Sequence, residues 1–380
     1  MTCLQQLYHF DKSKDKRLFY DMASQSLQEF REVLKEAYLL DLVDLEEFAL
    51  MYQNNLSRIV FPYWKFDRFD LDAWDDSECY TELRFRKNDL PALLACLRIP
   101  EKIVCSQRTS CSGLEALCIL LKRLAFPCRY TDMATRFGRN PTELCLIFNT
   151  ILNFVYTTHQ HHLSSWEQPF LSPENLALYT AAIHNHGAPL ENCFGFIDGT
   201  VRRIARPKIN QRTMYNGHKR VHSMKFQSVV IPNGLIANLA GPFEGKRHDS
   251  TMLYQSGLLP QLQQHAFHDG TPLCLYGDPA YPLGVHLQGP FKDRQLTPEM
   301  QNYNKAMSAV RVSVEWMFGC IRNYFQFVDF KSQQKVNLSS VGKMYIVCAL
   351  LQNAHTCLYG NIMSSVFELS PPSLEQYFTV

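Results

Sequence analysis

The chain has 380 residues, of which 46% are hydrophobic and 19% are charged, and its formal net charge is +2. This composition is typical of a soluble globular protein, excludes a disordered chain, and the length allows more than one domain. The 13 cysteines form no Cys-x-x-Cys pair, which argues against a structural zinc site and against a secreted disulfide framework. We therefore expect reduced thiols inside the cell, and no apolar run is long enough to span a membrane.

The first part of the chain is predicted to be helical. Leu27, Phe30 and Leu34 recur at three- and four-residue steps, which favours helix from residue 18 to about residue 60. Six Asp or Glu side chains and a single Arg lie between residues 67 and 78, so this segment is interpreted as an acidic connector. Residues 1–80 are thus predicted to be a helical N-terminal region that ends in this connector.

Residues 81–165 are predicted to form a second, all-α domain. A helix over 114–124 should stop before Pro127, and a short helix over 132–137 should end at Gly138. Asn140 and Pro141 then open a third helix, because Asn is a good N-cap and Pro suits the first helical position. This is the outline of a helix-turn-helix unit. Two roles stay open for it, namely DNA contact through the third helix or a purely structural packing role.

The histidines at 159, 161 and 162 are interpreted as part of a polar linker, because no Cys or acid lies nearby at zinc spacing. After this linker, from Cys193 onward, the hydrophobic pattern changes to that of strands. One strand is predicted to lead into Asp198, and two β-rich runs flank Pro-Asn-Gly at 232–234, which indicates a hairpin.

A further apolar run reaches Gly277, helical periodicity returns over residues 307–321, and a last helix is predicted from Val341 to Tyr359. This order of strands and helices matches an RNase H-like core. The predicted fold class is therefore α/β, with an RNase H-like catalytic core of a mixed sheet flanked by helices at 190–360. The all-α region precedes this core, and residues 361–380 form a C-terminal tail.

Three acids stand out in this core. Asp198 and Asp278 each follow a predicted strand, and Glu315 lies in a segment with helical periodicity. Two strand-borne aspartates and a helix-borne glutamate can converge on two Mg²⁺ ions, which prefer hard oxygen ligands. Such a pair of ions stabilises both the attacking and the leaving oxygen at phosphorus. Structural alternatives are a turn role for each aspartate and an i,i+4 ion pair between Glu315 and Arg311.

The segment from about Cys193 to Asn353 resembles the DDE endonuclease domain of PIF/Harbinger-type transposases and of the nucleases derived from them. The resemblance rests on four motifs in order: Ile-Asp-Gly-Thr at 197–200, Arg-His-Asp-Ser at 247–250, Gly-Asp-Pro-Ala-Tyr-Pro at 277–282 and Arg-Val-Ser-Val-Glu-Trp-Met-Phe-Gly at 311–319. Pro279-Ala280 stands where the family usually has Ser-Gly, and Trp316 stands where it usually has Arg.

The resemblance implies a nuclease that hydrolyses phosphodiester bonds at transposon ends and can join them to target DNA. Asp198, Asp278 and Glu315 would be the catalytic residues and the ligands of two Mg²⁺ or Mn²⁺ ions. It also implies a nuclear location, or a cytoplasmic one without a partner. A Myb-like DNA-binding accessory protein and a homo-oligomer on DNA are the implied protein partners.

Other residues are predicted to support this site. His248, Asp249 and Arg311 are candidates for the surroundings of the metal ligands, with an N-cap role as the alternative for Asp249. A stretch without acids, residues 199–225, holds a set of basic candidates for DNA contact: Arg202, Arg203, Arg206, Lys208, Arg212, Lys219 and Arg220. The alternative functions are a catalytically silent DNA-binding or scaffolding protein and an RNase H-like nuclease that acts on RNA or hybrids.

Overall fold

The computed structural model describes residues 27–54, 62–331, 334–336 and 338–379. The chain divides into two compact units, Met1–Pro62 and Tyr63–Val380. Of the predicted N-terminal helical region, residues 18–26 and 55–60 lie outside the described residues. The finer division of the chain into domains stays a prediction.

The described part of the first unit contains two helices, α1 Leu27–Leu39 and α2 Leu45–Asn54. Its predicted helical character is confirmed there, although a turn divides the predicted helix. The Asp44 carboxylate accepts a hydrogen bond from the Glu47 amide at 2.8 Å and so caps α2. The rings of Tyr38 and Phe48 lie 5.0 Å apart, which packs the two helices against each other.

The second unit begins with a layer of helices and a short antiparallel hairpin. The helices are α3 Asp76–Leu83, α4 Leu90–Cys96, α5 Gly113–Ala125, α6 Tyr130–Phe137 and α7 Pro141–His159, and the hairpin strands are β1 Lys102–Val104 and β2 Ser110–Ser112. Helix α3 begins inside the segment that the sequence indicated as a connector, because Asp75 caps it with a hydrogen bond from the Glu78 amide at 2.7 Å.

Helices α5, α6 and α7 lie in the three segments that the sequence predicted as helical, and their grouping as a helix-turn-helix unit stays a prediction. Asn140 caps α7 by accepting a hydrogen bond from the Thr142 amide at 2.9 Å. Gly138 ends α6 with a φ of 56°, and a Cβ there would lie 2.3 Å from the carbonyl oxygen of Asp67. Only glycine fits this left-handed position against the neighbouring backbone.

The sequence predicted that residues 159–162 belong to a polar linker, and this prediction is wrong because two of these histidines lie in the core. His159 and His162 are buried. The Nε2 atom of His159 lies 2.9 Å from the carbonyl oxygen of Leu97, and Nδ1 of His162 lies 3.3 Å from Oε1 of Gln168. One nitrogen of each imidazole therefore has a partner, while Nδ1 of His159 and Nε2 of His162 have none among the described residues.

Within the residues that the structure describes, the main sheet has six strands. They are β3 Cys193–Arg203, β4 Tyr215–Asn216, β5 Val221–Val230, β6 Ile236–Glu244, β9 Cys274–Tyr276 and β10 Leu287–Gln288, while β7 Phe267–His268 and β8 Thr271–Pro272 form a separate hairpin. Along the sheet the order is β10-β9-β3-β5, and both β4 and β6 pair with β5. Strands β10, β9 and β3 are parallel neighbours, whereas β5 is antiparallel to β3, β4 and β6.

The predicted hairpin around residues 232–234 is confirmed by the pairing of β5 with β6. Gly234 adopts a φ of 84° in its turn. Strand β3 is longer than predicted, because residues 199–203 continue to pair with β5 beyond Asp198. Asp198 therefore lies within the strand and not at its end.

The remaining helices surround this sheet. They are α8 Pro173–Asn185, α9 Gln211–Met214, α10 Asp249–Ser256, α11 Leu258–His265, α12 Pro298–Tyr324, α13 Val341–Tyr359, α14 Ile362–Val366 and α15 Leu374–Phe378. Helices α8 and α12 contact β3, and α13 contacts β6 and α7. The second unit is thus a mixed α/β fold with a mixed sheet and many helices.

The segment predicted as a C-terminal tail is folded. Leu374 and Tyr377 on α15 are buried, and the Tyr377 hydroxyl accepts a hydrogen bond from the Asn353 amide at 2.9 Å. No helix in the described part of the chain combines the length and the apolar character needed to cross a membrane.

Candidate active site

Strands β3 and β9 bring Asp198 and Asp278 together where β9 ends, a place that we call the sheet edge. The strands are parallel, and Phe196 pairs with Tyr276 in their register. Asp198 lies two residues after Phe196, and Asp278 lies two residues after Tyr276. The two chains approach closely here, since a Cβ on Gly277 would lie 2.9 Å from the Ile197 side chain. The two acids that the sequence singled out in this core are therefore neighbours across adjacent strands.

Asp198 is held by one backbone donor and one cation. The Gly199 amide donates to its Oδ1 at 2.7 Å, and Nη1 of Arg311 lies 3.4 Å from its Oδ2. Burial raises the pKa of Asp198 to about 6, although Arg311 opposes this shift, and the nearby charges of Asp278 and Asp249 add to it. A carboxylate of this kind favours a cationic ligand, which would stabilise its charged form.

Asp278 is half-buried and lies in the turn after β9. Its Oδ1 accepts a hydrogen bond from the Ala280 amide at 3.0 Å, and its other carboxylate oxygen accepts none from the described residues. The turn interpretation and the ligand interpretation are thus compatible, because one oxygen shapes the turn while the second stays available.

Asp249 joins the two strand aspartates. It is the first residue of α10 and not its N-cap, which is His248, so the predicted N-cap alternative is wrong. Its Oδ1 pairs with the Lys225 ammonium at 2.6 Å, and the same atom would lie 2.7 Å from a Cβ placed on Gly199. Asp249 therefore lies directly beside the backbone that follows Asp198. The His248 side chain is exposed.

Tyr281 and Lys225 are two members of this cluster that sequence reasoning did not assign. The Tyr281 side chain is 2% exposed, and its hydroxyl has no hydrogen-bond partner among the described residues. Burial raises its pKa well above the usual value, and the charges of Asp249, Asp198 and Asp278 add to this shift. Lys225 could have been noticed in the sequence, because it is a lysine inside the apolar run of β5.

Glu315 lies on α12, one helical turn beyond Arg311. Its side chain is exposed and has no ion-pair or hydrogen-bond partner among the described residues. The predicted alternative, an ion pair with Arg311, is not formed, because Arg311 pairs with Asp198. The structure thus brings Arg311 to the acidic cluster and leaves Glu315 on the surface of the helix.

The predicted DNA-binding residues fall into two environments. Six of them are exposed between the end of β3 and the start of β5: Arg203, Arg206, Lys208, Arg212, Lys219 and Arg220. Arg202 instead is buried, donates to the Thr200 hydroxyl at 2.6 Å and lies 4.7 Å from the centroid of the Tyr345 ring. In this arrangement the Arg202 guanidinium is a packing group and is not presented to a ligand.

The donor chemistry of the cluster fits a hard divalent cation, since Asp198, Asp249 and Asp278 all offer carboxylate oxygens. Within residues 27–54, 62–331, 334–336 and 338–379, however, no three His, Cys, Asp or Glu side chains are gathered closely enough to hold a metal ion. Two of the acids pair with Arg311 and Lys225 instead. A divalent cation would have to compete with these two protein cations.

Helix α7 offers little to a DNA backbone. It contains no Lys or Arg, and it packs against α5, α6 and α13. Arg139, just before α7, is buried in a pair with Glu115, to which its Nη2 donates at 2.9 Å. Of the two roles that the sequence left open for this unit, these contacts favour packing.

Residues 197–353 match the family model described as DDE superfamily endonuclease. The matched segment contains Asp198, Asp249, Asp278 and Glu315, and it covers less than half of the chain. Endonucleases of this superfamily typically use divalent metal ions, and the match suggests a transposase-like nuclease with a DNA substrate. A search of curated proteins and a search of solved structures each gave no match.

Proposed function

We propose that this protein is a divalent-metal-dependent DNA endonuclease of the PIF/Harbinger type. The observation that supports this most strongly is the placement of Asp198 and Asp278 at one edge of the sheet, two residues past a register pair of parallel strands. The family match covers both acids. This edge of the sheet is also where the charges of Asp249 and Arg311 meet Asp198.

The strand order supports an RNase H-like core. Strands β6, β5 and β3 are antiparallel neighbours, and β9 and β10 continue the sheet on the other side of β3 as parallel strands. The first acid lies on the central strand and the second follows its parallel neighbour. In the proposed nuclease this arrangement places one carboxylate on a strand and the other in the turn directly after the neighbouring strand.

Asp198 and Asp278 would hold two divalent cations, Mg²⁺ or Mn²⁺, and Glu315 is the third acid proposed from its motif. When bound, the two ions supply an activated water and stabilise the leaving oxygen of the cleaved phosphodiester. The chain's own residues bind and orient the substrate. Arg311, at 3.4 Å from Asp198, would neutralise charge on the reacting phosphate once a cation has taken its place at the carboxylate.

DNA contact is assigned to the exposed basic residues between β3 and β5. Their side chains can neutralise several phosphates, which makes binding strong and salt-dependent without reading sequence. This segment directly follows the strand that carries Asp198. Helix α7 has no comparable basic surface.

The narrower assignments rest on the motifs at 197–200, 247–250, 277–282 and 311–319. They support cleavage at transposon ends, followed by use of the released 3′-hydroxyl in strand transfer. They also support a nuclear location, a Myb-like accessory protein and assembly of several copies on DNA. None of these steps needs a covalent protein intermediate.

The test is a nicking assay with supercoiled plasmid and Mg²⁺ or Mn²⁺. We expect metal-dependent nicking by the full chain and loss of nicking in Asp278→Asn, which keeps the shape of the side chain and the bond from Ala280. The control is Asp269→Asn, a change at an exposed acid in the β7–β8 turn. Equal nicking by Asp278→Asn and Asp269→Asn would overturn the assignment of Asp278. A parallel assay with an RNA–DNA hybrid tests whether the substrate is DNA or a hybrid.

A catalytically silent DNA-binding or scaffolding protein is the second candidate. It is favoured by one observation, namely that Arg311 already pairs with Asp198 and no group of three metal-binding side chains is assembled among the described residues. This candidate predicts DNA binding without nicking at any concentration of Mg²⁺ or Mn²⁺. Detection of Asp278-dependent nicking would exclude it.

A further inference from the structure

A short hairpin of β4 and β5 lies inside the basic segment that follows β3. Tyr215 pairs with His222 in its register, and the turn residues 217–220 are all exposed. The surrounding sequence, residues 199–225, contains no Asp or Glu. The hairpin therefore presents positive charge that no acid of its own segment balances, which is a surface suited to phosphates.

Two close contacts fix this hairpin on the rest of the sheet. The Asn216 side chain is buried, donates to the carbonyl oxygen of Gly245 at 3.0 Å and accepts a hydrogen bond from the Lys219 amide at 2.8 Å. A Cβ on Gly245, the residue after β6, would lie 2.3 Å from the carbonyl oxygen of Met214. A hairpin held at both points presents its other side chains in one geometry, as a binding site requires.

Tyr215 places an aromatic ring on the outside of this hairpin. The residue is 41% exposed, and its ring centroid lies 5.4 Å from that of His222, with an angle of 65° between the rings. Such an edge-to-face contact orients the tyrosine ring while part of its surface stays accessible. The same cross-strand contact also stabilises the hairpin, and the variants described below separate the two roles.

The ring pair lies on the face of the sheet that carries Asp198. Directly paired residues share a face, and so do residues two apart along a strand. Asp198 pairs with Ser228, and His222 lies six residues before Ser228 on β5, so Asp198, His222 and Tyr215 share one face. At about 3.4 Å per residue, this separation along β5 is about 20 Å. It corresponds to about six nucleotide steps along one strand of a DNA duplex.

Aromatic rings next to cations that contact the backbone are the combination that binds unpaired bases, because a base stacks on the ring while the cations neutralise its phosphates. A base inside an intact duplex is covered by its neighbours and cannot reach such a ring. We propose that Tyr215 is a stacking platform for an unpaired base, and that the nuclease binds DNA that is single-stranded or locally open at this hairpin. His222 is the positioning residue for the ring. This inference deepens the proposed function and rests on its assignment of DNA contact to the basic segment.

The experiment measures the affinity of the full chain for a labelled single strand of DNA and for the matching duplex, by fluorescence anisotropy in EDTA. Because divalent metal is absent, binding is measured separately from nicking. We expect Tyr215→Ala to weaken binding of the single strand by about tenfold. Binding of the duplex should be nearly unchanged, because its phosphate contacts remain. Tyr215→Phe keeps the ring and should bind both probes like the wild type.

Three further variants separate stacking from charge and from support of the hairpin. Tyr254→Ala removes an exposed tyrosine from α10 and should change neither affinity. Arg220→Gln removes a phosphate contact and should weaken binding of both probes to a similar extent. His222→Ala should lower the ratio of single-strand to duplex affinity, as Tyr215→Ala does, but by a smaller factor. A merely structural role would not change this ratio.

Equal weakening of both probes in Tyr215→Ala would show that the ring only supports the hairpin, and this result would overturn the proposal. Unchanged binding of the single strand by Tyr215→Ala would overturn it as well. If the wild type nicks plasmid or binds the duplex but does not bind the single strand, the inference is wrong and the proposed function stands. If the wild type binds neither probe and nicks no plasmid, the proposed function fails, and this inference fails with it.

Discussion

The acidic cluster beside β3 and β9 and the helical layer around α7 both contain ion pairs, but they differ in the number of acids that lie close together. In the helical layer, the buried charges of Arg139 and Glu115 are paired through two hydrogen bonds. At the sheet edge, the Tyr281 hydroxyl is buried and lacks a hydrogen-bond partner among the described residues, and burial raises the pKa of Asp198 to about 6. Glu115 is the acid of a buried ion pair, whereas Asp198 lies close to the charges of Asp278 and Asp249. A strongly perturbed carboxylate among other acids indicates a candidate site for a ligand.

The largest expected effect is on nicking by Asp198→Asn. The substitution keeps the shape of the side chain but removes the charge that a divalent cation needs, so we expect nicking to fall by about 1,000-fold, equivalent to about 4 kcal/mol in the activation barrier. The measurement is the initial rate of plasmid nicking in Mn²⁺, with circular dichroism to confirm the fold. A rate within threefold of the wild type would remove Asp198 from the reaction.

The sequence could predict the two aspartates at the sheet edge and the helices of the helical layer. Asp198 and Asp278 follow strong apolar runs, and the register of two parallel strands turns that local pattern into spatial proximity. The helices α5, α6 and α7 were predictable for the same reason, because caps such as Asn140 and breaks such as Gly138 act locally.

What could not be predicted depends on tertiary contacts. Arg311 could pair either with Glu315 on its own helix or with Asp198, and only the docking of α12 against β3 decides in favour of Asp198. Similarly, the sequence predicted that Arg202 is one of several exposed basic residues. Side chains alternate between the two faces of β3, however, and this alternation turns Arg202 toward Tyr345. The burial of His159 and His162 likewise depends on packing around the end of α7.

In the helical layer, the largest expected effect is on stability. Glu115→Ala leaves the Arg139 guanidinium, which is buried, without its carboxylate, and breaking a buried pair in this way costs about 3–5 kcal/mol in the free energy of unfolding. Urea denaturation measures this loss. The double variant Glu115→Ala with Arg139→Met should regain part of it. A loss below about 1 kcal/mol for the single variant would mean that this pair behaves like a surface salt bridge.

The same layer should lose stability in acid through His162. Burial lowers the pKa of His162 from 6.5 to about 4, so the unfolded chain binds a proton at higher pH than the folded chain does. Stability is therefore full above pH 6.5 and falls as the pH is lowered toward 4, by roughly 3 kcal/mol from this group. Urea denaturation at pH 7 and at pH 4.5 should show a smaller difference in His162→Phe than in the wild type.

The control for this prediction is His218→Gln, which changes an exposed histidine and should leave the wild-type pH dependence intact. An identical pH dependence in His162→Phe and the wild type would show that protonation of His162 does not contribute to acid unfolding.

A smaller effect on stability is expected at the sheet edge from Gly277→Ala. A Cβ at this position would lie 2.9 Å from the Ile197 side chain and 2.8 Å from the Tyr281 ring, and overpacking of this kind costs about 1–3 kcal/mol. Because the clash pushes apart the strands that align the two aspartates, nicking should fall as well. In the matched variant Gly284→Ala, the added Cβ would meet no atom within 4 Å, so both stability and nicking should be unchanged.

The smallest effects are expected from two adjacent arginines that differ only in burial. Arg203 is exposed, and Arg203→Gln should weaken DNA binding and lower the slope of log affinity against log salt by about one, with stability unchanged. Arg202 is buried against Tyr345, and Arg202→Gln should instead lower the free energy of unfolding by about 1 kcal/mol without changing the slope. Fluorescence anisotropy of a labelled duplex at several salt concentrations measures the first effect, and urea denaturation measures the second. A salt slope that changes in Arg202→Gln but not in Arg203→Gln would reverse the assignment of the two residues and place the DNA on another surface.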